Sequence, residues 1–182
     1  MTSRELEEYR ALRDTIRERG TARVWVFLAG MVAWGALTIA TAALAALPVA
    51  TFLPLLVLAA AFEVVFSLHV GVERIGRYIQ VFLEELEGDN LGWEHVAMAV
   101  GPPLKGTRSD PLFTVYFLIA TVLNVVPALL AQPVPIEVGV VLGAHVLVIA
   151  RIGLARRIAS RQRAADLRRF EELRAAGRKA NV

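Results

Sequence analysis

The chain has 182 residues, 56% of them hydrophobic, and its mean hydropathy is +0.54. Soluble domains are about 45–50% apolar, so this composition disfavours a soluble protein and predicts membrane-spanning segments. Cysteine is absent, which excludes disulfides and thiolate metal sites. The formal net charge is +3 and the pI is about 9.8. In so apolar a chain, this basic balance favours anionic lipid headgroups over nucleic acid as the acidic partner.

Residues 1–23 are predicted to form a cytoplasmic amphipathic helix. Thr2 and Glu5 match a capping box, in which each side chain bonds the backbone N–H of the other residue. Apolar residues follow at helical spacing on one narrow face. Gly20 is predicted to end this helix, because glycine readily adopts the left-handed conformation that closes many helices.

Four apolar stretches follow: Val24–Leu47, Val49–Val72, Leu112–Ala131 and Ile136–Ala150. A spanning helix needs roughly 20 apolar residues, and the fourth stretch reaches this length only if Arg151 snorkels to the interface. A β-barrel is disfavoured because its strands alternate apolar and polar residues. A soluble helical bundle is the main alternative. Against it, the first stretch contains no charge at all, whereas a soluble helix keeps a polar face.

Lysine and arginine are confined to three parts of the chain: six lie in residues 1–23, four in 73–110 and ten in 151–182. Short loops rich in these residues stay on the cytoplasmic side of a membrane. The pattern predicts an all-α polytopic membrane protein whose four transmembrane helices form two hairpins, with the N-terminus and the C-terminus in the cytoplasm. After the N-terminal helix, a four-helix transmembrane domain is predicted over 24–151, with its cytoplasmic loop at 73–110. A basic cytoplasmic C-terminal helix is predicted over 152–182.

Four arginines near the end of the fourth stretch are predicted to contact lipid headgroups: Arg151, Arg156, Arg157 and Arg161. Each basic residue close to an anionic membrane contributes about 1 kcal/mol of attraction. The simpler interpretation, which the sequence favours, is general anchoring of the topology and not recognition of one lipid.

Four polar side chains in or beside the apolar stretches are predicted to form an intramembrane polar site: Glu63, His69, Asn124 and His145. A charged side chain at the bilayer centre costs at least ~2.5–3.5 kcal/mol. Glu63 is therefore predicted to face the bundle interior, within hydrogen-bond or one-water reach of His145 or Asn124. Residues 53–62 carry no polar side chain, so this site is predicted to open toward the cytoplasm. Interhelical hydrogen bonding and a proton- or ligand-binding role both stay open.

Two further patterns carry weaker signals. His69 and Glu73 have the i, i+4 spacing of a helical metal site, but such pairs are more often interfacial side chains, so no metal site is predicted. His95 is predicted to lie at the surface. The sequence GVVLG at 139–143 is a small-xxx-small motif that permits close helix approach, and packing within the monomer is favoured over a dimer face.

The sequence lacks GxSxG, HExxH, the P-loop and a Gly-rich dinucleotide turn. This disfavours catalysis without excluding it, and no cofactor is indicated. The favoured function is a non-enzymatic channel or transporter-like protein, working as a homo-oligomer, because an intramembrane ionisable residue such as Glu63 is a functional hypothesis by default. The alternative is a membrane-anchored scaffold or regulatory subunit that acts through its cytoplasmic helices.

Overall fold

A computed structural model describes residues 2–43, 47–84, 92–94, 96 and 110–180, and every regular element within them is helical. These residues include five α-helices: α1 (Ser3–Ala43), α2 (Phe52–Tyr78), α3 (Thr114–Leu123), α4 (Val126–Leu130) and α5 (Pro135–Ala180). A 3-10 turn, Pro48–Thr51, precedes α2, and a π-helical turn, Ile79–Leu83, follows it. The prediction of an all-α fold is confirmed for this part of the chain.

α1 begins at the predicted capping box and is 41 residues long. The Thr2 backbone N–H donates to Glu5 Oε2 at 2.6 Å, and the Glu5 N–H donates to Thr2 Oγ1 at 3.3 Å. The predicted helix end at Gly20 is wrong, because α1 continues unbroken into the first apolar stretch. A glycine inside a helix costs only ~1 kcal/mol relative to alanine, and no proline follows Gly20 to stop the helix.

Among the described residues, three helical runs are long and apolar enough to cross a membrane: Ser3–Ala43, Pro48–Leu83 and Pro135–Gly177. By length and composition they are compatible with an integral membrane protein. The third lies within α5, a single helix of 46 residues that joins the fourth apolar stretch to the basic tail.

The sequence predicts one regular helix for the third apolar stretch. In the structure this stretch is divided into α3 and α4. Pro127 has no N–H to donate to the Leu123 carbonyl, and its ring crowds the preceding turn. The Val125 N–H bonds the Val122 carbonyl at 3.2 Å, which is an i−3 bond in place of the α-helical i−4 bond. The break falls at Asn124, whose side chain is central to the polar contacts described below.

The chain folds into two compact units. The first, which we call the apolar unit, comprises Ala22–Ser67 and Asp110–Arg156. The second, which we call the charged unit, comprises Met1–Thr21, Leu68–Ser109 and Arg157–Val182. α1, α2 and α5 contribute residues to both units. The predicted domain boundaries at residues 23 and 151 stay predictions.

The core of the apolar unit is built from α1, α2, α3 and α5. The Phe62 and Phe117 rings pack edge to face, with centroids 5.3 Å apart. α1 approaches α2 closely at Gly30, where a Cβ atom would lie 2.5 Å from the Cβ of Ala61. Small residues are typical of such contacts between spanning helices. The remaining core includes Leu58, Val65, Leu112, Ala120, Ile152 and Ala155.

The charged unit is held together by aromatic rings and ion pairs. The Tyr78 ring stacks on Phe82 at 4.9 Å between centroids, and both rings lie edge-on to Phe170 of α5. The Tyr78 hydroxyl donates to Glu8 of α1 at 2.7 Å. These contacts join α1, α2 with its π-helical turn, and α5.

Candidate functional site

Glu63 of α2 forms a two-point ion pair with Arg151 of α5 in the apolar unit. Its Oε1 and Oε2 lie 2.7 Å from Arg151 Nε and Nη2 respectively. Paired N–H···O bonds to a charged carboxylate are stronger and more directional than a single bond. The Glu63 side chain is 48% exposed and that of Arg151 is 34% exposed. The ion pair therefore lies at the surface of the apolar unit.

Both carboxylate oxygens of Glu63 contact Arg151 and not the predicted partners His145 and Asn124, and the Glu63 side chain is half exposed. His145 precedes Arg151 by six residues, which is about 9 Å along a helix axis. Glu63 therefore lies level with Arg151, about 9 Å along α5 from His145. The stretches differ in length, and a shift of about 9 Å is enough to change which residues face each other.

An open recess of about 180 Å³ borders this ion pair. Its lining residues are Ala59, Phe62, Glu63, Leu147, Val148, Arg151 and Ile152. The Arg151 guanidinium also lies over the Phe66 ring, with Cζ 4.6 Å from the centroid, which is a favourable cation–π distance. The recess therefore presents one ion pair in an otherwise apolar wall.

A second polar cluster surrounds Asn124, which is fully buried at the break between α3 and α4. Its Oδ1 accepts hydrogen bonds from Trp34 Nε1 at 3.1 Å and Thr38 Oγ1 at 3.4 Å. Its Nδ2 donates to the Thr51 carbonyl at 2.9 Å and lies 3.0 Å from His145 Nε2. One amide group thus links α1, the 3-10 turn and α5 to the helix break.

His145 is buried, and each of its ring nitrogens has a partner. Nδ1 lies 2.7 Å from the Val141 carbonyl oxygen, which can only accept, so we assign the proton to Nδ1. Nε2 then accepts from the Asn124 amide. Both contacts fit a neutral imidazole, and the arrangement suits a fixed link between helices.

His69 lies in the charged unit and is buried. Glu73, four residues after His69, has its Oε2 atom 3.3 Å from Arg77 Nη2 and 2.6 Å from Arg163 Nε. Among the described residues, no group of three or more His, Cys, Asp or Glu side chains could hold a metal. His95 lies outside the described residues.

The four predicted site residues therefore fall in three places. Glu63 binds Arg151, Asn124 binds His145, and His69 belongs to the charged unit. Of the four, the structure brings Asn124 and His145 together. The partner of Glu63 is Arg151, which the sequence predicts to contact lipid headgroups.

The four arginines predicted to contact headgroups differ in their surroundings. Arg151 is engaged by Glu63, and Arg156 Nη2 lies 2.8 Å from Asp110 Oδ1. Arg157 and Arg161 are exposed and form no ion pair with the part of the chain that the structure describes. Headgroup contact stays a prediction for all four, and Arg157 and Arg161 have no acidic partner among the described residues.

Asp110 caps α3 and ties it to α5. Its Oδ2 accepts the Thr114 N–H at 2.6 Å, and its Oδ1 accepts the Leu112 N–H at 3.2 Å in addition to the Arg156 guanidinium. Burial alone would raise the pKa of Asp110, but the hydrogen bonds from Arg156, Thr114 and Leu112 outweigh burial and hold this pKa below its ordinary value.

Arg13 organises a second ionic cluster, in the charged unit. Its Nη1 donates to Glu94 Oε1 at 2.7 Å, its Nη2 lies 3.5 Å from Glu84 Oε1, and its Nε donates to the Tyr9 hydroxyl at 3.0 Å. Glu84 Oε1 also accepts the Glu94 backbone N–H at 2.9 Å. The Trp93 ring centroid lies 5.4 Å from Arg13 Cζ. Charge thus fastens residues 92–94 to α1 and to the end of the helical run that begins with α2.

Comparisons of the chain with protein-family models, curated proteins and solved structures give no match. The function is therefore argued from the residues described above.

Sequence reasoning missed Trp34, Thr38 and Thr51 as partners of Asn124, and Arg151 as the partner of Glu63. An indole N–H inside an apolar stretch needs an acceptor, and this requirement points from Trp34 to a side-chain amide. Arg151 is the first charge after the fourth stretch. A basic residue at that position is close enough to the apolar region to pair with an acid on a neighbouring helix.

Proposed function

We propose that the chain is an integral membrane protein with four spans and both termini in the cytoplasm. We further propose that it acts as a membrane-anchored scaffold or regulatory subunit through its charged unit. One observation carries this proposal: α1, α2 and α5 each contain an apolar part and a part that belongs to the charged unit. The charged unit has its own ring contacts and polar contacts. Such helices hold a folded surface in water while their apolar parts stay in the bilayer.

The fourth span in this proposal is the kinked pair α3–α4. The region Thr114–Leu130 is apolar and helical, and at 1.5 Å per residue it is about 25 Å long, close to the ~30 Å hydrocarbon thickness. A break at membrane depth is tolerated where neighbouring groups bond the freed polar atoms. The Asn124 cluster supplies bonds of this kind. The confinement of basic residues to 1–23, 73–110 and 151–182 supports cytoplasmic termini.

The polar groups of the apolar unit support a scaffold more than a transporter. The Glu63 charge is matched by Arg151, and Asn124 and His145 satisfy each other and their neighbours. Hydrogen bonds between spanning helices of this kind stabilise helix contacts, by ~0.6 kcal/mol on average. Each of these groups thus has a stabilising role that requires no transported ion.

A channel or transporter-like oligomer that uses Glu63 as its titrating group is the second candidate. The observation that favours it is the position of the ion pair beside an open recess, with the Glu63 side chain 48% exposed. Ionisable groups at membrane depth commonly mark ion pathways.

Ion and proton flux in proteoliposomes separates the two candidates. The scaffold proposal predicts no leak above that of protein-free liposomes, for the wild type and for Glu63→Gln alike. Glu137→Gln is the matched control, since Glu137 accepts the Val134 N–H at the start of α5, outside the recess. A leak that is lost in Glu63→Gln and kept in Glu137→Gln would reject the scaffold and support the channel.

A further inference from the structure

The apolar unit has an unpartnered face formed by α2 and α5. Exposed residues of α2 include a stripe with a spacing of three and four residues: Leu53, Leu56, Ala60, Glu63 and Ser67. A stripe on α5 follows the same spacing: Ile136, Val140, Gly143, Leu147, Arg151 and Leu154. Residues at this spacing share one face of a helix. We call the two stripes, with the recess that borders them, the α2–α5 face.

Lipid hydrocarbon is a poor cover for the part of this face that holds the Glu63–Arg151 pair. The Glu63–Arg151 pair lies on it with the two side chains 48% and 34% exposed. Ionisable side chains at membrane depth almost always face a bundle interior or a water-filled cavity, because hydrocarbon leaves their charge unsolvated. The pair therefore calls for a polar neighbour that the described part of one chain does not supply.

We propose that a second copy of this chain covers the α2–α5 face, in a two-fold symmetric dimer that encloses the Glu63–Arg151 pair. The proposal rests on the membrane placement proposed above, and it is independent of the choice between scaffold and channel.

Charge complementarity identifies the occupant. A two-fold axis parallel to the helices preserves depth and reverses left and right on the facing surface. Glu63 of each copy therefore lies opposite Arg151 of the other copy. The four charges then alternate in sign, so that each carboxylate has two guanidinium neighbours in a medium of low dielectric constant. Like-charge contacts do not arise, because each copy contributes one charge of each sign at the same level.

Small residues allow the close approach that such a dimer needs. Around Gly143, an added Cβ would meet no described atom within 4 Å, and the same holds at Gly139. The packing of the GVVLG motif inside the monomer, favoured by the sequence, is therefore wrong for the described residues. Gly143 lies in the α5 stripe and Ala60 in the α2 stripe, and small residues let the backbones of spanning helices approach.

Single-cysteine cross-linking in native membranes tests the dimer with the ion pair intact. The chain has no cysteine of its own. Leu147→Cys lies on the α2–α5 face, and Val146→Cys is the matched control at the same depth, turned about 100° around α5. The two side chains are 72% and 61% exposed, so their reactivity toward an oxidant is comparable. We expect Leu147→Cys to shift from the 19.9 kDa monomer to a band of twice that mass, and Val146→Cys to stay monomeric.

Charge inversion tests the alternating arrangement. Glu63→Arg gives a face with two positive charges, and Arg151→Glu gives a face with two negative charges. Each variant is expected to repel its own copies and to migrate as a monomer in mild detergent, whereas the two co-expressed variants are expected to purify together. Both variants lose the internal ion pair, so their helix content is compared with that of the wild type. Where either variant fails to fold, the cysteine experiment decides.

Three outcomes overturn the dimer: no covalent dimer at Leu147→Cys, equal dimer formation at both positions, or dimer formation at Val146→Cys alone. Extraction of the same membranes with alkaline carbonate is done in parallel. A chain that is released by carbonate rejects the membrane placement itself. A chain that stays in the membrane, without a cross-link specific to Leu147→Cys, rejects the dimer only and leaves lipid or a different protein as the cover of the α2–α5 face.

Discussion

Asn124 is the residue on which the buried polar groups of the apolar unit depend most. Replacing it with alanine leaves the Trp34 indole N–H, the Thr51 carbonyl and His145 Nε2 without their partner. A buried polar group left unsatisfied costs roughly 1–3 kcal/mol, so we expect Asn124→Ala to lower the free energy of unfolding by at least about that amount. Denaturant titration of the purified protein in mild detergent measures this change.

Thr121→Val is the control for that substitution. Thr121 is equally buried on α3, but among the described residues its hydroxyl contacts just the Phe117 carbonyl of the same helix, donating to it at 2.8 Å. Its loss is expected to cost less than about 1 kcal/mol. Equal destabilisation by the two variants would mean that Asn124 does not link the helices.

Asp110 predicts an acid-dependent loss of stability. Its pKa is held below the ordinary value, because hydrogen bonds from Arg156, Thr114 and Leu112 outweigh the effect of burial. A carboxyl group whose folded pKa is depressed contributes stability that is fully present above its unfolded pKa and is lost as the pH falls toward the folded pKa. We therefore expect this contribution to begin to fall at about pH 4, the ordinary pKa of aspartate, and to be lost on further acidification.

Asp110→Asn isolates the charge in this prediction, since asparagine also caps helices well. The variant should be less stable than the wild type at neutral pH, and the difference should shrink on acidification. Asp14→Asn is the control, because the Asp14–Arg17 pair is exposed on one helix and such pairs contribute little. A constant difference at all pH values would argue against an ionised Asp110.

The polar residues themselves could be found from the sequence, but their partners could not. A side chain such as Glu63 or Asn124 is conspicuous inside an apolar stretch, because each needs a partner there. Which partner it meets depends on the relative depth of two helices, and a shift of six residues exchanges His145 for Arg151 on α5. Length and composition do not fix that depth when stretches differ in length and helices tilt.

At the scale of the helix, two glycines in α1 give opposite predictions. An added Cβ at Gly20 would meet nothing within 4 Å, whereas at Gly30 it would lie 2.5 Å from Ala61 Cβ. Gly20→Ala should therefore raise the free energy of unfolding by up to ~1 kcal/mol, as expected inside a continuous helix. Gly30→Ala should lower it, because α1 and α2 must move apart. Unfolding in mild detergent compares the two variants.

A loss of stability in Gly20→Ala would support the helix end that the sequence predicts. A glycine that closes a helix has a positive φ, and alanine is strained there. The structure argues against such an end, because α1 is helical on both sides of Gly20.

The extent of the helices follows from the sequence better than their breaks do. Apolar length predicts the spanning parts of α1, α2 and α5, and helix-forming residues carry these helices past the apolar stretches. The break between α3 and α4 results from Pro127. Spanning helices often tolerate proline when neighbours bond the freed groups, so a proline alone does not reveal whether a helix continues. The Asn124 hydrogen bonds at this break join residues far apart in sequence, so they form only in the folded chain.

At the scale of the whole molecule, the proposed function depends on how many times the chain crosses the bilayer. In the part of the chain that the structure describes, three helical runs have the length and composition to cross it, and the proposal adds the kinked pair α3–α4 as a fourth. An even number of spans returns the C-terminus to the side of the N-terminus. An odd number would separate the two ends of the chain, and the basic tail of α5 would then lie outside the cytoplasm, against the tendency of basic residues.

Accessibility of single cysteines to a membrane-impermeant maleimide tests this claim most directly. Cysteine is introduced in the cysteine-free chain at Ser3, Ala50, Gln132 or Ala175, and labelling is measured in intact cells and after permeabilisation. We predict that Ala50→Cys and Gln132→Cys react in intact cells, and that Ser3→Cys and Ala175→Cys react only after permeabilisation. Labelling of Ala175→Cys in intact cells, with Gln132→Cys protected, would show that α3–α4 does not span and would contradict the four-span account.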